Sequence, residues 1–552
     1  MSSADTLGPG QQPLARFVAE EPQAPRGSIL FMAALVGAAE ASLIGITNAA
    51  AKAVYLGTPP GTLAAAYLVL LSILMTALSY ALVQSVDAIE RGLDRVKLRI
   101  ADKVRCSDLR FIEVSGSSGA YRLLAQDSSI IAQGAGPLVL IAHQSVVVLF
   151  AMLYVAWLSP PTLLTTLLVL GLAVPVIVRH AERTRADLKA AAADDDQVFE
   201  ALSGMLAGFK ELKLNRPERD ALLTAIERLA RRAHARKLAV GMRQALDMIF
   251  ATGLTYVVLF AAVFVVATLV PQASETVFSV SVVLLLVTRG LLGAANAMPM
   301  IAKVEAAIAD LYRLEDRLDT AAAHAEGPTA AAPRTGFTGI EARGLCFRYL
   351  DADGAVLFEV GPFDLTLSPG ELLFIVGGNG SGKSTLLKLL TGLYRPDRGE
   401  LRLDGRTLTN ADYPGYRSLF TSVFTDFHLF ERLYGIDDLD PERVNHWLRL
   451  LEMDRKTQYG ESGFTNLDLS TGQKKRLAFI AAVLKDRPIC VFDELAADQD
   501  PQFRRRFYEE ILPSLRAEGR TLVCVSHDDR WFHVADRVLT MRDGRIDAVA
   551  KG

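Results

Sequence analysis

Long apolar stretches alternate with polar segments over the first three hundred residues of the chain. Each is close to the roughly 20 residues that a helix needs to cross about 30 Å of hydrocarbon. They lie at about 28–50, 62–85, 134–158, 162–179, 248–270 and 277–302. The pattern predicts an all-α transmembrane domain of six helices over 28–320, with both of its ends on the same side of the membrane.

The polar segments predict which side that is. The loop 51–61 has a single cation, Lys52, whereas the segment 86–130 has eight. The cations of that segment are Arg91, Arg95, Lys97, Arg99, Lys103, Arg105, Arg110 and Arg122. Because cytoplasmic loops carry an excess of Lys and Arg, both termini are predicted to be cytoplasmic. Residues 1–27 are polar and are predicted to form a disordered cytosolic N-terminus. The long inner connections keep a helical periodicity, so the spans are expected to continue as helices into the cytosol.

The composition of the chain changes after the sixth stretch. Residues 321–336 are small and interrupted by Pro and Gly, which predicts a linker. Residues 337–552 alternate between strand-like and helix-like patterns, which predicts an α/β domain with a largely parallel sheet. The predicted fold class is therefore a multidomain membrane protein, with a six-helix transmembrane domain followed by an α/β domain.

The overall composition agrees with this division. Of the 552 residues, 51% are hydrophobic and 22% are charged, a mixture expected of a membrane domain joined to a soluble one. The net charge of −3 gives no basic field of the kind that nucleic-acid binding requires, so no nucleic-acid partner is expected. The four cysteines have neither the density of a disulfide scaffold nor the spacing of a zinc site.

The second domain carries a phosphate-binding loop (P-loop). The apolar run 371–376 precedes it and an apolar helix pattern follows it; its residues are Gly377, Gly378, Asn379, Gly380, Ser381, Gly382, Lys383, Ser384 and Thr385. Glycines at this spacing let backbone N–H groups face phosphate oxygens. Lys383 would add a cation at the phosphates, and the Ser384 hydroxyl is predicted to bind Mg²⁺.

Two further strands deliver candidate catalytic groups. The strand 489–492 ends in Asp493 and Glu494. An acid in the place of Asp493 can bind the metal, and Glu494 can accept a proton from the water that attacks the γ-phosphate. The strand 521–526 delivers His527, which is predicted to hydrogen-bond the γ-phosphate.

The motif 469–473, with the sequence LSTGQ, precedes the helical run KKRLAFIAAVL. Here the chain resembles the ATP-binding cassette (ABC) transporters, in particular half-transporters of the exporter type, whose signature LSGGQ differs by the glycine that Thr471 replaces. The resemblance implies an ATP-binding cassette domain at 337–552, with ATP and Mg²⁺ as cofactors and ATP hydrolysis coupled to transport.

The resemblance also implies roles for single residues. The signature would contact the ATP that the P-loop of the facing cassette binds, through Ser470, Thr471, Gly472 and Gln473. Asp500, which matches the D-loop aspartate, would contact the same ATP. Tyr349 looks like the aromatic platform on which adenine stacks, and 460–463 looks like the Gly-Glu loop of exporters.

One element departs from the family. Where a glutamine of the family usually links the Mg²⁺ site to the membrane domain, this chain has Thr425, and Asp426 is the candidate to serve at the metal instead.

Because each ATP in this family lies between two cassettes and this chain has one, the resemblance implies a homodimer in a lipid bilayer. The runs VFTDFHLF, LSTGQKKRLA and DELAADQDP resemble bacterial exporters of cyclic peptides and peptide siderophores. We therefore expect a peptide-like cargo, such as a cyclic peptide, a lasso-type peptide or a peptide siderophore, exported across the bacterial inner membrane. A siderophore importer of exporter-like architecture and a lipid flippase remain alternatives, and a non-transporting regulatory ATPase is disfavoured.

Three ionisable residues lie inside the predicted spans, where charge is costly and usually faces a cavity or a partner. They are Glu40, His143 and Arg289. They are candidates for a substrate path, and an internal structural pair, such as Glu40 with Arg289, is an equally weighted alternative.

Overall fold

A computed structural model gives the structure of the chain. It describes residues 13–20, 26–115, 127–266, 268, 277–322, 334–351, 355–436 and 439–551. The chain divides into two compact units, described separately below: a helical unit within 1–102 and 118–316, and a cassette unit within 103–117 and 317–552.

The first part of the chain consists of helices joined by short turns in its described residues. Its helices are α1 (Pro13–Ala19), α2 (Arg26–Tyr55), α3 (Gly61–Cys106), α4 (Leu109–Ser115), α5 (Ser128–Ala132), α6 (Ala135–Leu158), α7 (Pro160–Ala207), α8 (Phe209–Leu214), α9 (Arg216–Phe260, continued by a π-helical segment Ala261–Val266) and α10 (Val277–Ala322). Pro residues occupy the first turns of α7 and α9, and the Asn215 side chain accepts from the Glu218 N–H to cap α9.

The long helices coincide with the predicted spans. Five helical stretches in the described residues are long and apolar enough to cross a membrane: Arg26–Tyr55, Gly61–Cys106, Ser128–Leu158, Arg216–Val266 and Ser279–Thr320. The fourth predicted span, 162–179, lies on α7, where the apolar helical stretch Pro160–Leu172 is shorter. Several helices run well beyond the predicted spans, as α3 and α7 do, which matches the expected helical extensions.

The expectation of a disordered N-terminus is wrong for residues 13–20. These residues form α1 and the turn after it, and the Phe17 ring lies against Gly92 of α3. The Arg16 guanidinium lies 4.1 Å from the centre of the Tyr312 ring, and Glu20 accepts hydrogen bonds from Tyr312 and Arg99 at 3.0 and 3.1 Å.

Electrostatics add to this anchorage. Burial alone would raise the pKa of Glu20, but hydrogen bonds from Arg16 and Tyr312 and the charge of Arg99 keep that pKa below its usual range. The α1 segment is therefore attached to α3 and α10 by both an apolar and an ionic contact.

Residues 103–117, assigned to the transmembrane domain from sequence, belong to the cassette unit. Glu113 of α4 accepts from Lys388 at 2.7 Å and from the Tyr394 hydroxyl, and Arg110 donates to the Arg348 carbonyl at 3.2 Å. The linker predicted at 321–336 lies mostly outside the described residues, which resume at 334.

Two larger sheets, one two-stranded sheet and the helices between them form the rest of the described cassette unit. The strands are β1 (Ile340–Leu350), β2 (Val356–Leu367), β3 (Leu372–Gly377), β4 (Arg398–Leu403), β5 (Arg406–Thr407), β6 (Phe420–Val423), β7 (Tyr459–Gly460), β8 (Gly463–Phe464), β9 (Ile489–Asp493), β10 (Thr521–Val525), β11 (Arg537–Arg542) and β12 (Arg545–Lys551). The α-helices are α11 (Lys383–Leu390), α12 (Tyr413–Arg417), α13 (Pro441–Leu450), α14 (Thr471–Val483), α15 (Pro501–Arg506) and α16 (Leu512–Ala517).

The larger sheet has the order β12-β11-β3-β10-β9-β6, and its pairings are parallel except for β11 with β12. This confirms the expected largely parallel sheet. A second sheet, β2-β1-β4-β5, is antiparallel and was not predicted from the sequence. The central strands β9 and β10 are buried along their whole lengths, as expected of strands covered on both faces.

We expect Phe17→Ala to destabilise the helical unit. The ring is 6% exposed and packs on Gly92, so its removal should lower the unfolding free energy by about 3 kcal/mol. Phe31→Ala is the matched control, because Phe31 is 64% exposed and should give a small change. Thermal unfolding in detergent measures both, and equal shifts for the two variants would contradict the anchoring role of α1.

Candidate functional site

Three neighbouring parallel strands bring the predicted site residues to one edge of the larger sheet. Strand β10 lies between β3 and β9, with Val525 opposite Ile375 on one side and Asp493 on the other. Each strand therefore ends at the same level, and the P-loop, Asp493 and His527 follow from these three ends. Ligands in open α/β sheets bind at such carboxyl ends.

Two of the P-loop glycines, Gly377 and Gly382, are required by the backbone. Gly377 has φ 151°, and a Cβ there would lie 2.3 Å from the Met541 carbonyl oxygen. Gly382, with φ 95°, caps α11 in the left-handed region that favours glycine. The Lys383 side chain is buried, and its Nζ donates to the carbonyl oxygens of Gly377 and Gly378 at 3.0 Å each. The loop and its lysine are thus a compact phosphate-sized cradle at the start of a helix.

A pair of oxygens beside the loop suits a divalent cation. Ser384 Oγ donates to Asp493 Oδ2 at 2.9 Å, and Asp493 Oδ1 is buried without a hydrogen-bond partner among the described residues. Burial raises the pKa of Asp493; Glu494 and Asp426 add to this rise, and the hydrogen bond from Ser384 opposes it. A carboxylate oxygen without a partner and a hydroxyl are ligands that Mg²⁺ accepts, so the residues present fit the predicted metal.

The segment after β6 approaches the same point. Strand β6 pairs with β9, with Val423 opposite Phe492, so Thr425 and Asp426 follow at the same edge of the sheet. Both are exposed, and the charge of Asp426 acts on the Asp493 carboxyl. The structure thus brings Asp426 into the electrostatic range of the candidate metal ligands.

The candidate general base and the candidate γ-phosphate contact lie side by side. Glu494 Oε1 is 2.9 Å from His527 Nε2, and both side chains are partly exposed. Glu494 has φ 51°, a left-handed conformation that is uncommon for a residue with a side chain. A partly exposed carboxylate at this edge of the sheet, directly after Asp493, is suitably placed to accept a proton from water.

Tyr349, the candidate adenine platform, lies half-buried on β1. Its hydroxyl is 2.9 Å from Thr385 Oγ1, and its ring packs edge-on against Phe347, with 5.1 Å between the ring centres. The structure therefore places Tyr349 beside the helix that follows the P-loop.

The signature residues form a second cluster at the start of α14. Ser470 caps this helix by accepting from the Gln473 N–H, and Gln473 Oε1 accepts from the Ser470 N–H at 3.1 Å, a capping box. The Gln473 side chain thus stabilises the helix end. A Cβ on Gly472 would lie 2.9 Å from the Asp498 carbonyl oxygen, which explains why the second glycine of the signature is kept while Thr471, which is exposed, replaces the first.

This cluster borders a cavity of about 520 Å³. The lining includes Asp500 together with Ser470, Thr471, Gly472 and Gln473, and no described P-loop residue lines it. The structure therefore divides the predicted ATP residues between two places in one chain. Asp500 caps α15 by accepting from the Phe503 N–H at 2.8 Å, and it pairs with Arg476 at 2.6 Å.

Sequence reasoning missed three residues of this second cluster. Lys475, Arg476 and Gln499 connect α14 to the segment after β9. The burial of Lys475 could have been predicted from the sequence. Lys475 precedes the apolar Ala478 and Phe479 by three and four residues, so it lies on the same helix face as they do. The Gly-Glu loop forms the short β7–β8 hairpin, where Gly463 has φ 104°.

Two of the three ionisable residues of the spans contact each other. His143 Nε2 lies 2.6 Å from Glu40 Oε2, a contact that joins α6 to α2. The suggested pairing of Glu40 with Arg289 stays a prediction. His143 is 8% exposed. The Arg289 side chain lies outside the described residues.

Asp493→Asn should stabilise the protein against thermal unfolding and reduce the further stabilisation that Mg²⁺ gives. Because the folded-state pKa of Asp493 is raised, its ionisation disfavours folding as the pH rises through that pKa. We expect the variant to unfold a few degrees above the wild type at neutral pH without Mg²⁺, and the difference to shrink on acidification.

The control for this prediction is Asp454→Asn, which removes an exposed carboxylate. Thermal unfolding across pH, with and without Mg²⁺, measures the effect. A variant that is stabilised by Mg²⁺ as strongly as the wild type would contradict the assignment of Asp493 to the metal.

Comparison with known proteins supports the same site. The ABC transporter family matches residues 360–497, which include the P-loop, the signature motif and Asp493-Glu494. The ATP-binding protein SyrD of Pseudomonas syringae pv. syringae is 32% identical over 480 residues, which cover 83% of this chain and 82% of SyrD. The ATP-dependent lipid A-core flippase of Alkalilimnicola ehrlichii is 32% identical over 223 residues, which cover 38% of this chain and 36% of the flippase.

The fold agrees with these similarities. The structure of a bacterial Atm1-family ABC exporter with ATP bound matches 98% of this chain and 95% of its own, with a TM-score of 0.77 and 20% sequence identity. The SyrD match is longer than the cassette and extends into the helical unit. The chain therefore belongs to the ABC transporter family, as a membrane-embedded half-transporter of the exporter type that couples ATP hydrolysis to transport.

Proposed function

We propose that two copies of this chain export a peptide-like secondary metabolite across the bacterial inner membrane. Each ATP would be bound between the P-loop of one copy and the signature of the other. Both termini and the cassettes would be cytoplasmic. The observation that carries this proposal is the division of the site into two clusters, one around Lys383 and Asp493 and one around the cavity at Ser470.

The division supports dimerisation because each cluster has only part of what a nucleotide needs. The P-loop offers backbone N–H groups and Lys383, and the signature offers the amino end of α14 to an anion. Two copies related by a twofold axis would complete two equivalent sites. ATP would then add contacts only in the closed dimer, and so shift the population toward it.

Within each site the residues have distinct tasks. Lys383 and the P-loop backbone would bind the phosphates, and Tyr349 would stack on the base. Ser384 and Asp493, with Asp426 nearby, would bind Mg²⁺, which when present neutralises charge on the phosphates. Glu494 would take the proton from the attacking water, and His527 would orient Glu494 and contact the γ-phosphate.

Support for the cytoplasmic side comes from α4. This segment lies in the cation-rich stretch that the positive-inside bias assigns to the cytoplasm, and it contacts the cassette through Glu113 and Arg110. The cassette and the cation-rich segment would therefore lie on one side of the bilayer.

A cavity in the helical unit supports a peptide-sized cargo. It measures about 770 Å³ and lies among α5, α7, α9 and α10. Four alanines of α10, Ala302, Ala306, Ala307 and Ala309, line it together with charged groups that include the Lys237–Asp195 pair. This volume is within the range of small-molecule sites, and the mixture of apolar and charged walls suits a peptide better than an acyl chain.

The Glu40–His143 pair has a different proposed role. Neither residue lines the cavity, and the two satisfy each other between α2 and α6. We assign them to helix packing rather than to cargo contact, which follows the structural alternative for ionisable groups inside spans.

Transport into inside-out membrane vesicles tests the proposal as a whole. With ATP outside, a labelled cyclic peptide should accumulate inside the wild-type vesicles and not inside vesicles that contain Lys383→Ala. Uptake of a ferric siderophore by intact cells, or movement of a labelled lipid between leaflets without peptide accumulation, would instead identify an importer or a flippase.

Glu494→Gln should separate closure from hydrolysis. Losing the general base should reduce steady-state ATP hydrolysis by at least about 100-fold. ATP-dependent closure, followed by the distance between spin labels on the two cassettes, should persist. Glu509→Gln, which alters an exposed helical carboxylate, is the control. Normal hydrolysis by Glu494→Gln would refute its proposed role.

Gly241→Trp should reduce the binding and transport of cargo. Gly241 lines the cavity, and no atom lies within 4 Å of the position that its Cβ would take, so the indole can fill the space. We expect peptide accumulation to fall at least about tenfold, which corresponds to roughly 1.4 kcal/mol of lost binding. Ala230→Trp, on the same helix but outside the cavity lining, is the matched control. Equal transport by the two variants would show that cargo binds elsewhere.

A further inference from the structure

A lysine of the signature helix is buried against the backbone of the proposed general base. Lys475 is 6% exposed, although it lies between the exposed Lys474 and the partly exposed Arg476. Its Nζ donates to the Glu494 carbonyl oxygen at 3.0 Å and lies 2.6 Å from Asp498 Oδ2. A buried ammonium group is unfavourable unless such contacts satisfy it.

The recipient of this hydrogen bond is a residue whose backbone needs support. Glu494 has the left-handed φ of 51°, in a region that a residue with a side chain adopts only when its surroundings impose it. The surroundings contact it on every side. Its N–H donates to the Val525 carbonyl at 3.3 Å, its carbonyl also accepts from the Ala497 N–H at 3.2 Å, and its carboxylate lies beside His527.

Of these contacts, the one from Lys475 comes from a helix. The Val525 contact belongs to the neighbouring strand, and the Ala497 contact is a local turn. Lys475 therefore connects Glu494 to α14, whose first turn forms the signature.

Gln499 adds two further contacts between the same elements. Gln499 Nε2 donates to the Gly472 carbonyl at 2.9 Å, and its Oε1 accepts from Arg476 Nε at 2.9 Å. The segment after Glu494 is thus attached to the signature helix at both ends, by Lys475 at Glu494 and by Gln499 five residues later. The position of α14 and the backbone geometry of Glu494 are expected to change together.

We propose that Lys475 is a positioning residue for ATP hydrolysis, whose ammonium group fixes the backbone of Glu494 in its own chain and so aims that carboxylate at the attacking water. This rests on the proposed role of Glu494. Because α14 would face the ATP bound by the partner, the same contact lets the binding of nucleotide at one site adjust the general base of the other.

Lys475→Met tests the contact, because methionine keeps most of the apolar stem and removes the donor. Asp498 is 53% exposed, so water can hydrate it once its partner is lost. We expect kcat for ATP hydrolysis to fall about tenfold to a hundredfold, as small displacements of a catalytic group do. KM for ATP should stay within about twofold, since Lys475 lies outside the P-loop.

Nucleotide-dependent closure gives a readout that does not depend on activity. The Lys475→Met dimer should close with ATP to the same spin-label distance as the wild type, as Glu494→Gln should. A dimer that fails to close would show that Lys475 supports the contact between the signature and ATP rather than the position of Glu494. That result would overturn the proposal. A kcat within about twofold of the wild type would overturn it as well.

Matched variants separate positioning from folding. Lys474→Met changes the exposed neighbouring lysine and should leave kcat within about twofold. Lys475→Arg keeps a cationic donor and should recover at least about a third of the wild-type kcat. Should Lys475→Met fail to fold, Lys475→Leu, which also lacks a donor, gives the same comparison. A loss of kcat accompanied by an equal loss of ATP affinity and a large drop in unfolding temperature would show a purely structural role.

The Glu494→Gln variant, measured in parallel, distinguishes this inference from the proposed function. Normal hydrolysis by Glu494→Gln refutes the general base itself. A strong loss in Glu494→Gln together with an unaffected Lys475→Met refutes the positioning role alone.

Discussion

The parallel pairing of β3, β10 and β9 is the constraint on which the rest of the site depends. It places the P-loop, Asp493 and the residues after Val525 at one edge of a sheet whose central strands are fully buried. Within this frame each polar group is close to a partner: Lys383 to loop carbonyls, Ser384 to Asp493, and His527 to Glu494. The remaining buried oxygen of Asp493 has no partner among the described residues, which is consistent with a cation site.

Buried and half-buried polar groups in this chain connect elements that are distant in sequence. Lys475 connects α14 to Glu494, Glu20 connects α1 to α3 and α10, and His143 connects α6 to α2. Each would be unfavourable alone and is satisfied by a contact within hydrogen-bond distance. Such contacts transmit small displacements between elements, which a transporter requires if nucleotide binding is to change the conformation of its helices.

The sequence was most informative where the backbone restricts residue choice. The P-loop glycines, the acids that end β9 and the long apolar helices could all be predicted, because left-handed φ values, strand ends and hydrocarbon thickness leave few alternatives. The antiparallel β2-β1-β4-β5 sheet could not, because strand order depends on contacts between segments far apart in the sequence. The Glu40–His143 pair and the association of residues 103–117 with the cassette unit were missed for the same reason.

The central claim is that ATP joins the P-loop of one copy to the signature of another. Cross-linking tests it most directly, with Asn379→Cys in one preparation and Ser470→Cys in a second, both at exposed positions. When the two variants are co-assembled, an oxidant should produce a covalent pair of chains that requires ATP and does not form in either variant alone. Absence of that product in ATP-bound protein that hydrolyses nucleotide normally would contradict the account.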